Sequence, residues 1–189
     1  YRTVSENLAV HARWWRHPPG KALGTVIAVH GWFMGDQRIN ALALLPGFFF
    51  RLGLDVVLYE LPYHGRRSPG ASARSALSLF PSPDIARTNE AVAQAISDLR
   101  SLSAWIKQET DRPVGVMGIS LGGYVSALWA SLDRLSFALL MFPLVSMADM
   151  AWEILAKHPK RDTEEWKQIR GVTLEDLRKA YAVHCPLSY

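Results

Sequence analysis

The stretch that decides the fold is VGVMGISLGG, residues 114–123. A short apolar run reaches Ser120, which lies between Gly118 and Gly122, and an apolar-rich segment that predicts a helix follows. If the run is a buried strand, the chain must turn sharply at Ser120, and the two glycines remove the Cβ atoms that would block the turn. Such a turn lifts the hydroxyl out of the sheet and aims the N–H of Leu121 at the space above it. The stretch therefore predicts a nucleophilic serine with an oxyanion donor beside it.

A second strand leads to a second candidate donor. Residues 25–29, TVIAV, form a β-branched run that continues into HGWFMG, residues 30–35. With these two motifs the chain resembles the α/β-hydrolase superfamily, whose members carry an H-G-x turn after the third strand and a G-x-S-x-G elbow after the fifth. The resemblance implies an α/β-hydrolase-like three-layer fold, in which a mostly parallel sheet has helices on both faces. It also implies that Ser120 is the catalytic nucleophile and that the backbone N–H groups of Leu121 and Trp32 form the oxyanion hole.

The remaining elements of the core follow from apolar patterning and turn residues. Residues 7–16 predict an edge strand with Leu8, Val10, Ala12 and Trp14 on one side. Residues 38–52 predict a helix that is bent or broken at Pro46-Gly47, and its apolar residues point in nearly every direction, so we expect it to be well buried. Further on, the pattern predicts a strand over residues 54–59, a surface loop over 71–83, a long helix capped by Asp84 and a last strand over 136–142.

The turn over residues 60–68, ELPYHGRRS, resembles the turn after the fourth strand of many α/β hydrolases, D-x-x-G-H-G-x-S. Here Glu60 stands where Asp is usual, and Tyr63 replaces the first glycine. We expect His64 and Ser68 to stabilise this turn by local hydrogen bonds. We do not assign the catalytic base to His64.

Beyond Pro143 the sequence pattern predicts three helices, over residues 147–158, 163–170 and 173–183. The third is capped by Thr173. The resemblance implies a helical cap over the site after the sixth strand. We therefore divide the chain into a hydrolase core (1–146), a helical cap-like segment (147–183) and the start of a connection to further core strands (184–189). Two interpretations of the large apolar residues in the cap-like segment stay open: they line an acyl or alkyl pocket, or they only pack the helices together. These residues are Met147, Met150, Trp152 and Trp166.

The resemblance implies a triad in the order Ser, Asp or Glu, His, with the acid after the seventh strand and the histidine after the eighth. Neither strand is found before Tyr189, so we expect the acid and the histidine outside this chain. The apolar strand at 136–142 supports this, because it would otherwise be an uncovered sheet edge. We expect the chain to be a fragment of a longer polypeptide, or a second chain to complete the sheet. An internal alternative, Ser120 with Asp149 and His184, keeps the order, although Asp149 is equally suited to cap a helix before Met150.

Composition narrows the class of protein further. The chain has 189 residues, of which 49% are hydrophobic, enough for one sizeable core. The balance of 21 basic to 17 acidic residues gives a charge of +4, but the basic residues form short scattered pairs, which does not favour nucleic acid as a partner. No apolar run is long enough to cross a membrane. The single cysteine, Cys185, excludes an internal disulfide and favours a cytoplasmic location.

We accordingly predict a serine hydrolase that cleaves an ester, thioester or related acyl bond of a small-molecule substrate through an acyl-enzyme on Ser120. No metal or organic cofactor is predicted, because the six histidines lack ligand spacing. The isolated chain is expected to be nearly inert without its histidine and acid. The alternative from another class is a catalytically silent α/β-hydrolase-like protein that binds a ligand or a protein partner. A serine at the nucleophile position argues against a dehalogenase, which uses a carboxylate there.

Overall fold

The computed structural model describes residues 4–69, 79–157 and 171–189. Within these residues a five-stranded sheet forms the centre of the molecule, in the order β1-β3-β2-β4-β5. Its strands are β1 (Ala12–Trp15), β2 (Gly24–Val29), β3 (Leu54–Tyr59), β4 (Val114–Ile119) and β5 (Ala138–Met141). Strand β1 pairs antiparallel with β3, and the other neighbouring pairs are parallel. The predicted mostly parallel sheet is thereby confirmed.

The three central strands, β2, β3 and β4, consist mainly of apolar runs, interrupted by Thr25 near the start of β2 and Asp55 near the start of β3. Such runs belong in a parallel sheet that is covered on both faces, and nearly every residue of these strands is buried. Val26 is aligned with Val56 on one side and with Gly115 on the other, so the three strands end at the same edge of the sheet. The loops that follow them therefore meet at that edge.

Six helices lie within the described part of the chain, on the two faces of the sheet. They are α1 (Gln37–Leu44), α2 (Pro46–Arg51), α3 (Ile85–Glu109), α4 (Leu121–Leu132), α5 (Met147–Lys157) and α6 (Leu174–Tyr181). Leu44 and Phe49 of α1 and α2 pack with Val26 and Val56 on one face. Helices α3 to α6 contribute to the core on the other face. The three layers expected from the resemblance are present.

Helix starts follow the capping chemistry expected of them, with one correction. The Asp84 side chain accepts a hydrogen bond from the N–H of Arg87 (3.0 Å), and Thr173 caps α6, as predicted. At α5, however, the N–H of Asp149 donates to the Ser146 hydroxyl (3.1 Å), so Ser146 is the capping residue. The suggestion that Asp149 caps a helix starting at Met150 was wrong. The helix begins at Met147, so Asp149 lies in its first turn and Ser146 precedes it.

The amino-terminal prediction was wrong in part. The strand covers only Ala12–Trp15, and Ser5–Leu8 is a 3-10 turn. Leu8 and Val10 are exposed, so they do not share a buried side with Trp14. The reason is Asn7, whose side chain is fully buried and holds the turn against the core.

The predicted break between α1 and α2 falls at Leu45, whose φ is +47°. The following proline disfavours a helical conformation at the residue before it. The expectation that this segment is well buried was wrong: Ile39, Leu42 and Phe48 are 52%, 77% and 49% exposed. Only the side of α1 and α2 that faces the sheet is covered within the described residues.

Strand β5 differs from the other parallel strands in its burial. Among the residues that the structure describes, it pairs along one side only, with β4. Leu139 and Leu140, which point to opposite faces of the sheet, are 43% and 40% exposed. Among the described residues, no helix is long and apolar enough to span a membrane.

Candidate active site

Ser120 forms a sharp elbow between β4 and α4. Its backbone has φ +55° and ψ −115°, a region that residues with a Cβ atom rarely adopt. Hydrogen bonds hold it there: the N–H of Ser120 donates to the Met141 carbonyl (3.1 Å), and its own carbonyl accepts from the N–H groups of Tyr124 and Leu144 (3.0 Å each). The surrounding backbone thus fixes the strained conformation.

Two glycines allow the elbow to fit against the sheet. A Cβ atom at Gly118 would collide with the Gly122 carbonyl oxygen and the Ser126 hydroxyl. A Cβ atom at Gly122 would collide with the carbonyl groups of Val29 and His30 at the end of β2. The two glycines therefore remove Cβ atoms that would block the turn, as the sequence predicted, and the structure adds that the first turn of α4 packs directly on the end of β2.

The structure brings the three predicted site residues together. Ser120 is exposed, and among the described residues no hydrogen bond involves its hydroxyl. A Cβ atom placed on Gly31 would lie 3.4 Å from the Ser120 Cβ, so the loop carrying Trp32 is adjacent to the serine. Leu121 is the first residue of α4, where the N–H has no partner within the helix. The elbow and the loop after β2 thus border one space above the serine.

His30 fixes the orientation of the loop that carries Trp32. Its Nδ1–H donates to the Gly31 carbonyl (2.8 Å), and its Nε2 accepts from the N–H of Leu61 (3.1 Å), which requires a neutral ring. Burial, together with the nearby His64, lowers the pKa of His30 to about 3. The Gly31 carbonyl and the Trp32 N–H belong to one planar peptide and point in opposite directions. By holding that carbonyl, His30 sets the direction of the Trp32 N–H.

His64 ties the loop after β3 to the same segment. Its Nδ1 lies 2.9 Å from the Pro62 carbonyl and its Nε2 lies 2.8 Å from the Trp32 carbonyl. Burial lowers the pKa of His64, while the two backbone hydrogen bonds act in the opposite direction. The expectation that His64 stabilises the turn is confirmed, and its bond to Trp32 extends that role. Ser68 does not share the role: its hydroxyl is buried without a hydrogen-bond partner among the described residues.

A buried polar network stabilises the turn over residues 60–68, which follows β3. The Glu60 carboxylate accepts from the Gln37 side chain (2.7 Å) and from the N–H of Arg66 (3.0 Å). The fully buried guanidinium of Arg67 donates to the Asp98 carboxylate (2.7 Å) and to the Glu60 carbonyl (3.0 Å). A buried charge is stable only when it is paired in this way. The Glu that replaces the usual Asp therefore anchors the turn.

Sequence reasoning missed Asn7, which completes this network. Its side-chain oxygen accepts from the N–H of Tyr63 (3.1 Å), and its amide donates to Gln94 (2.8 Å). Its backbone carbonyl accepts from Arg67 (3.1 Å). The available signal was a lone amide residue at the start of an otherwise apolar alternation, which we interpreted as an edge position.

The alternative triad is not assembled. The Nδ1 of His184 accepts from the Tyr124 hydroxyl (2.8 Å), and its Nε2 donates to the Asn89 side chain (2.9 Å). Burial lowers the pKa of His184 to about 4, so the ring is neutral and both nitrogens are engaged. Asp149 instead forms an exposed ion pair with Arg178 (2.8 Å). The triad of Ser120, Asp149 and His184 is therefore contradicted, because neither partner hydrogen-bonds to the serine.

The apolar residues of the cap-like segment divide between core and surface. Met147 is fully buried in the main core, and Met150 packs against the same core, which favours the packing interpretation for both. Trp152 is 38% exposed. Trp166 lies outside the described residues.

A cleft of about 420 Å³ opens at the opposite end of the sheet, where β3 and β4 begin. Several of its polar side chains contact each other: the Nδ1 of His17 lies 2.8 Å from the Asp55 carboxylate, and Arg16 pairs with Glu109 (2.9 Å). We assign no role to this cleft. Within the described part of the chain, no group of three or more His, Cys, Asp or Glu side chains is placed to hold a metal ion.

Comparison with known proteins agrees with this geometry. The model of the alpha/beta hydrolase family matches residues 26–185, which include the loop after β2, the elbow and the segment beyond β5. The chain belongs to the alpha/beta hydrolase family.

Among curated proteins, the chain is 32% identical over 178 residues to the uncharacterized protein Rv2627c of Mycobacterium tuberculosis strain H37Rv. The alignment covers 90% of this chain and 42% of that protein, so the chain spans less than half the length of this relative. The uncharacterized protein MT2702 of strain CDC 1551 matches to the same extent.

Solved structures share the fold. The acetyl xylan esterase from Paenibacillus sp. R4 superposes with a TM-score of 0.60 at 19% identity, covering 95% of this chain and 60% of the esterase. Acetyl xylan esterase 1 from Thermoanaerobacterium sp. JW/SL YS485 gives a TM-score of 0.57 at 19% identity, covering 90% and 60%. At these identities the likeness shows the fold alone.

Proposed function

We propose that this chain is the nucleophile-bearing part of a serine hydrolase that cleaves an ester, thioester or related acyl bond. The observation that carries the proposal is the exposed, strained Ser120 at the elbow, next to the loop whose Trp32 N–H is oriented by His30. Family membership supports hydrolysis as the reaction class.

In the proposed reaction the Ser120 hydroxyl attacks the acyl carbon while a histidine takes its proton. The carbonyl oxygen becomes an oxyanion, which accepts hydrogen bonds from the N–H groups of Leu121 and Trp32. The bond to the leaving group then breaks, and the histidine returns the proton to that group. Water attacks the acyl-enzyme by the same route, so that the carboxylic acid is released and Ser120 regains its proton.

The histidine and the acid would come from polypeptide beyond the described residues. His30 and His184 have both ring nitrogens in hydrogen bonds, and the two ring nitrogens of the buried His64 face the backbone carbonyls of Pro62 and Trp32, so none of the three is placed to take the serine's proton. The chain spans only 42% of the length of its curated relatives, which leaves room for both groups.

We propose that the same additional polypeptide covers β5. Leu139 and Leu140 expose apolar side chains on both faces of this strand, and an uncovered apolar edge invites pairing with another strand. The unpaired Cys185 supports a cytoplasmic location, and the proposed reaction uses no metal or organic cofactor.

The test is ester hydrolysis by the full-length protein with Ser120 replaced by Ala. We expect the turnover number for 4-nitrophenyl butyrate to fall by about 10⁴-fold or more, because the nucleophile is lost. Ser101→Ala is the matched control, since Ser101 is an exposed helical serine whose hydroxyl, within the described part of the chain, bonds only to the Ser97 carbonyl of its own helix. Hydrolysis by Ser120→Ala at the rate of the control would refute the proposal.

A further inference from the structure

Ser120 lies between two loops that extend from the neighbouring strands. Because β4 is the strand between β2 and β5, the segments after those two strands flank the serine. Adjacent strands are about 4.8 Å apart, so the flanking backbones stand about 10 Å from each other. We call the segment 31–34 the first wall and the segment 141–145 the second wall.

Both walls present aromatic side chains to solvent. Phe33 is 71% exposed and stacks on Trp32 with ring centroids 4.7 Å apart, and Phe142 is 89% exposed. An aromatic ring normally buries 150–250 Å² of surface, and leaving it in water forfeits that stabilisation. Two such rings beside a candidate nucleophile indicate a ligand that covers them.

The backbone at Phe142 carries a second, independent signal. Its φ is +45°, which is rare for a bulky residue and unfavourable by about 1 kcal/mol or more. The conformation is fixed from both sides, because the Met141 carbonyl and the Leu144 N–H both bond to the backbone of Ser120. Glycine would adopt this conformation without strain. The presence of phenylalanine indicates that its side chain is needed there.

The walls contain no charged residue. The first wall reads GWFM and the second reads MFPLV. A charged acyl group between them would lose its hydration without gaining an ion pair from either wall. The walls therefore suit an apolar group.

We infer that the substrate carries a bulky apolar acyl group, aryl or branched, which lies between Phe33 and Phe142 while Ser120 attacks its carbonyl carbon. This inference rests on the proposed function. Acyl substrates should therefore differ in reactivity according to the size and polarity of the acyl group. Acetyl groups and charged acyl groups should be poor substrates.

The test compares three 4-nitrophenyl esters, which share one leaving group, as substrates of the full-length protein. They are the acetate, the phenylacetate and the hemisuccinate. We expect kcat/KM for phenylacetate to exceed that for acetate by tenfold or more, and hemisuccinate to be the poorest. Phe142→Ala should reduce both kcat/KM for the phenylacetate ester and its ratio to kcat/KM for the acetate ester, the ratio by about tenfold. Phe48→Ala, which removes an exposed phenylalanine on α2, should change neither. A wild-type preference for acetate, or a preference unaffected by both Phe142→Ala and Phe33→Ala, would overturn the inference.

A stability measurement separates a substrate wall from a packing role. Phe142→Gly relieves the positive φ, so we expect its melting temperature to rise while the phenylacetate preference falls as in Phe142→Ala. If the melting temperature falls in both variants and the preference is unchanged, Phe142 packs against other polypeptide and the inference is wrong.

A binding measurement with Ser120→Ala separates a failure of this inference from a failure of the proposed function. The ligand is the ester 4-nitrophenyl phenylacetate. We expect calorimetry to show phenylacetate binding that Phe142→Ala weakens about tenfold in the same background. If no ester is hydrolysed, or if Ser120→Ala still turns over, the proposed function fails, and this binding measurement alone then decides the inference. Equal phenylacetate affinity with and without the Phe142 side chain contradicts it.

Discussion

The two sides of Ser120 are built in opposite ways. On one side, which we call the anchored side, the loops after β2 and β3 bury His30, His64 and Arg67 in a network of hydrogen bonds. On the other, which we call the open side, β5 and the second wall expose Leu139 and Phe142. The sheet itself is continuous across both.

The difference indicates which parts of the proposed reaction this chain supplies. The anchored side holds the Trp32 N–H in a fixed direction before any substrate arrives, which is what electrostatic stabilisation of an oxyanion requires. The open side contributes apolar surface but, among the described residues, no titratable group that contacts Ser120. We therefore expect the proton-transferring groups and the cover of β5 to come from the same additional polypeptide.

The largest expected effect concerns the charge buried in the anchored side. Arg67→Ala leaves Asp98 without its buried partner and removes three further hydrogen bonds, so we expect the free energy of unfolding to fall by about 3–5 kcal/mol. The matched control is Arg178→Ala, which removes an exposed ion pair and should leave stability unchanged within error. Urea denaturation of the two variants measures the contrast. Equal losses would contradict the view that the anchored side is specially stabilised.

A slightly smaller effect is expected at the contact between the elbow and β2. Gly122→Ala places a methyl group against the carbonyls of Val29 and His30, so we expect a loss of about 3 kcal/mol and a displaced Ser120. Gly47→Ala is the control, because a Cβ there would meet, among the described residues, only the flexible end of Arg51 at 3.8 Å. Its melting temperature should stay level or rise slightly. If Gly122→Ala behaves like the control, α4 does not pack on the end of β2 as described.

The pH dependence of stability tests whether a buried histidine of this chain is a base. The pKa of His184 is about 4 in the folded protein and 6.5 when unfolded, so the unfolded chain binds the proton first. Its contribution to stability is complete above pH 6.5 and is lost as the pH falls towards 4, by up to about 3 kcal/mol. His184→Gln should weaken this dependence, measured by urea unfolding at several pH values. Ester turnover should stay within about threefold, whereas a loss like that of Ser120→Ala would restore His184 as the base.

The smallest expected effect concerns the open side. If additional polypeptide covers β5, Leu139→Lys in the full-length protein buries a charge and should destabilise it by about 2 kcal/mol. Leu8→Lys, at a leucine that is 61% exposed in the amino-terminal turn, should change stability by less than about 0.5 kcal/mol. Indistinguishable denaturation curves for the two variants would show that β5 remains uncovered.

Local chemistry explains why much of the anchored side was predictable from sequence. The β-branched runs specify β2 and β3, and the spacing of Gly118 and Gly122 around Ser120 specifies the elbow, because these signals depend on neighbouring residues only. Asp84 and Thr173 were predictable as helix caps for the same reason.

The errors arise where a residue's environment depends on distant parts of the chain. The apolar residues of α1 and α2 did not reveal that Ile39 and Leu42 would remain exposed, because that depends on what covers the helices. Asn7 joins partners 56 and 87 positions away, and no local pattern contains that information. The contacts of His30 with Leu61 and of His64 with Trp32 are likewise tertiary, because they join residues 31 and 32 positions apart. The sequence therefore led us to expect the Trp32 N–H as a donor but not the residues that orient it.

Whether Ser120 is the nucleophile is tested directly by labelling the full-length protein with a fluorophosphonate probe and locating the adduct by peptide mass spectrometry. We expect one stoichiometric adduct on Ser120, which forms at the pH at which the protein hydrolyses esters and is absent in Ser120→Ala. A protein that hydrolyses esters while its adduct maps to another residue, or that leaves Ser120 unlabelled, would contradict it.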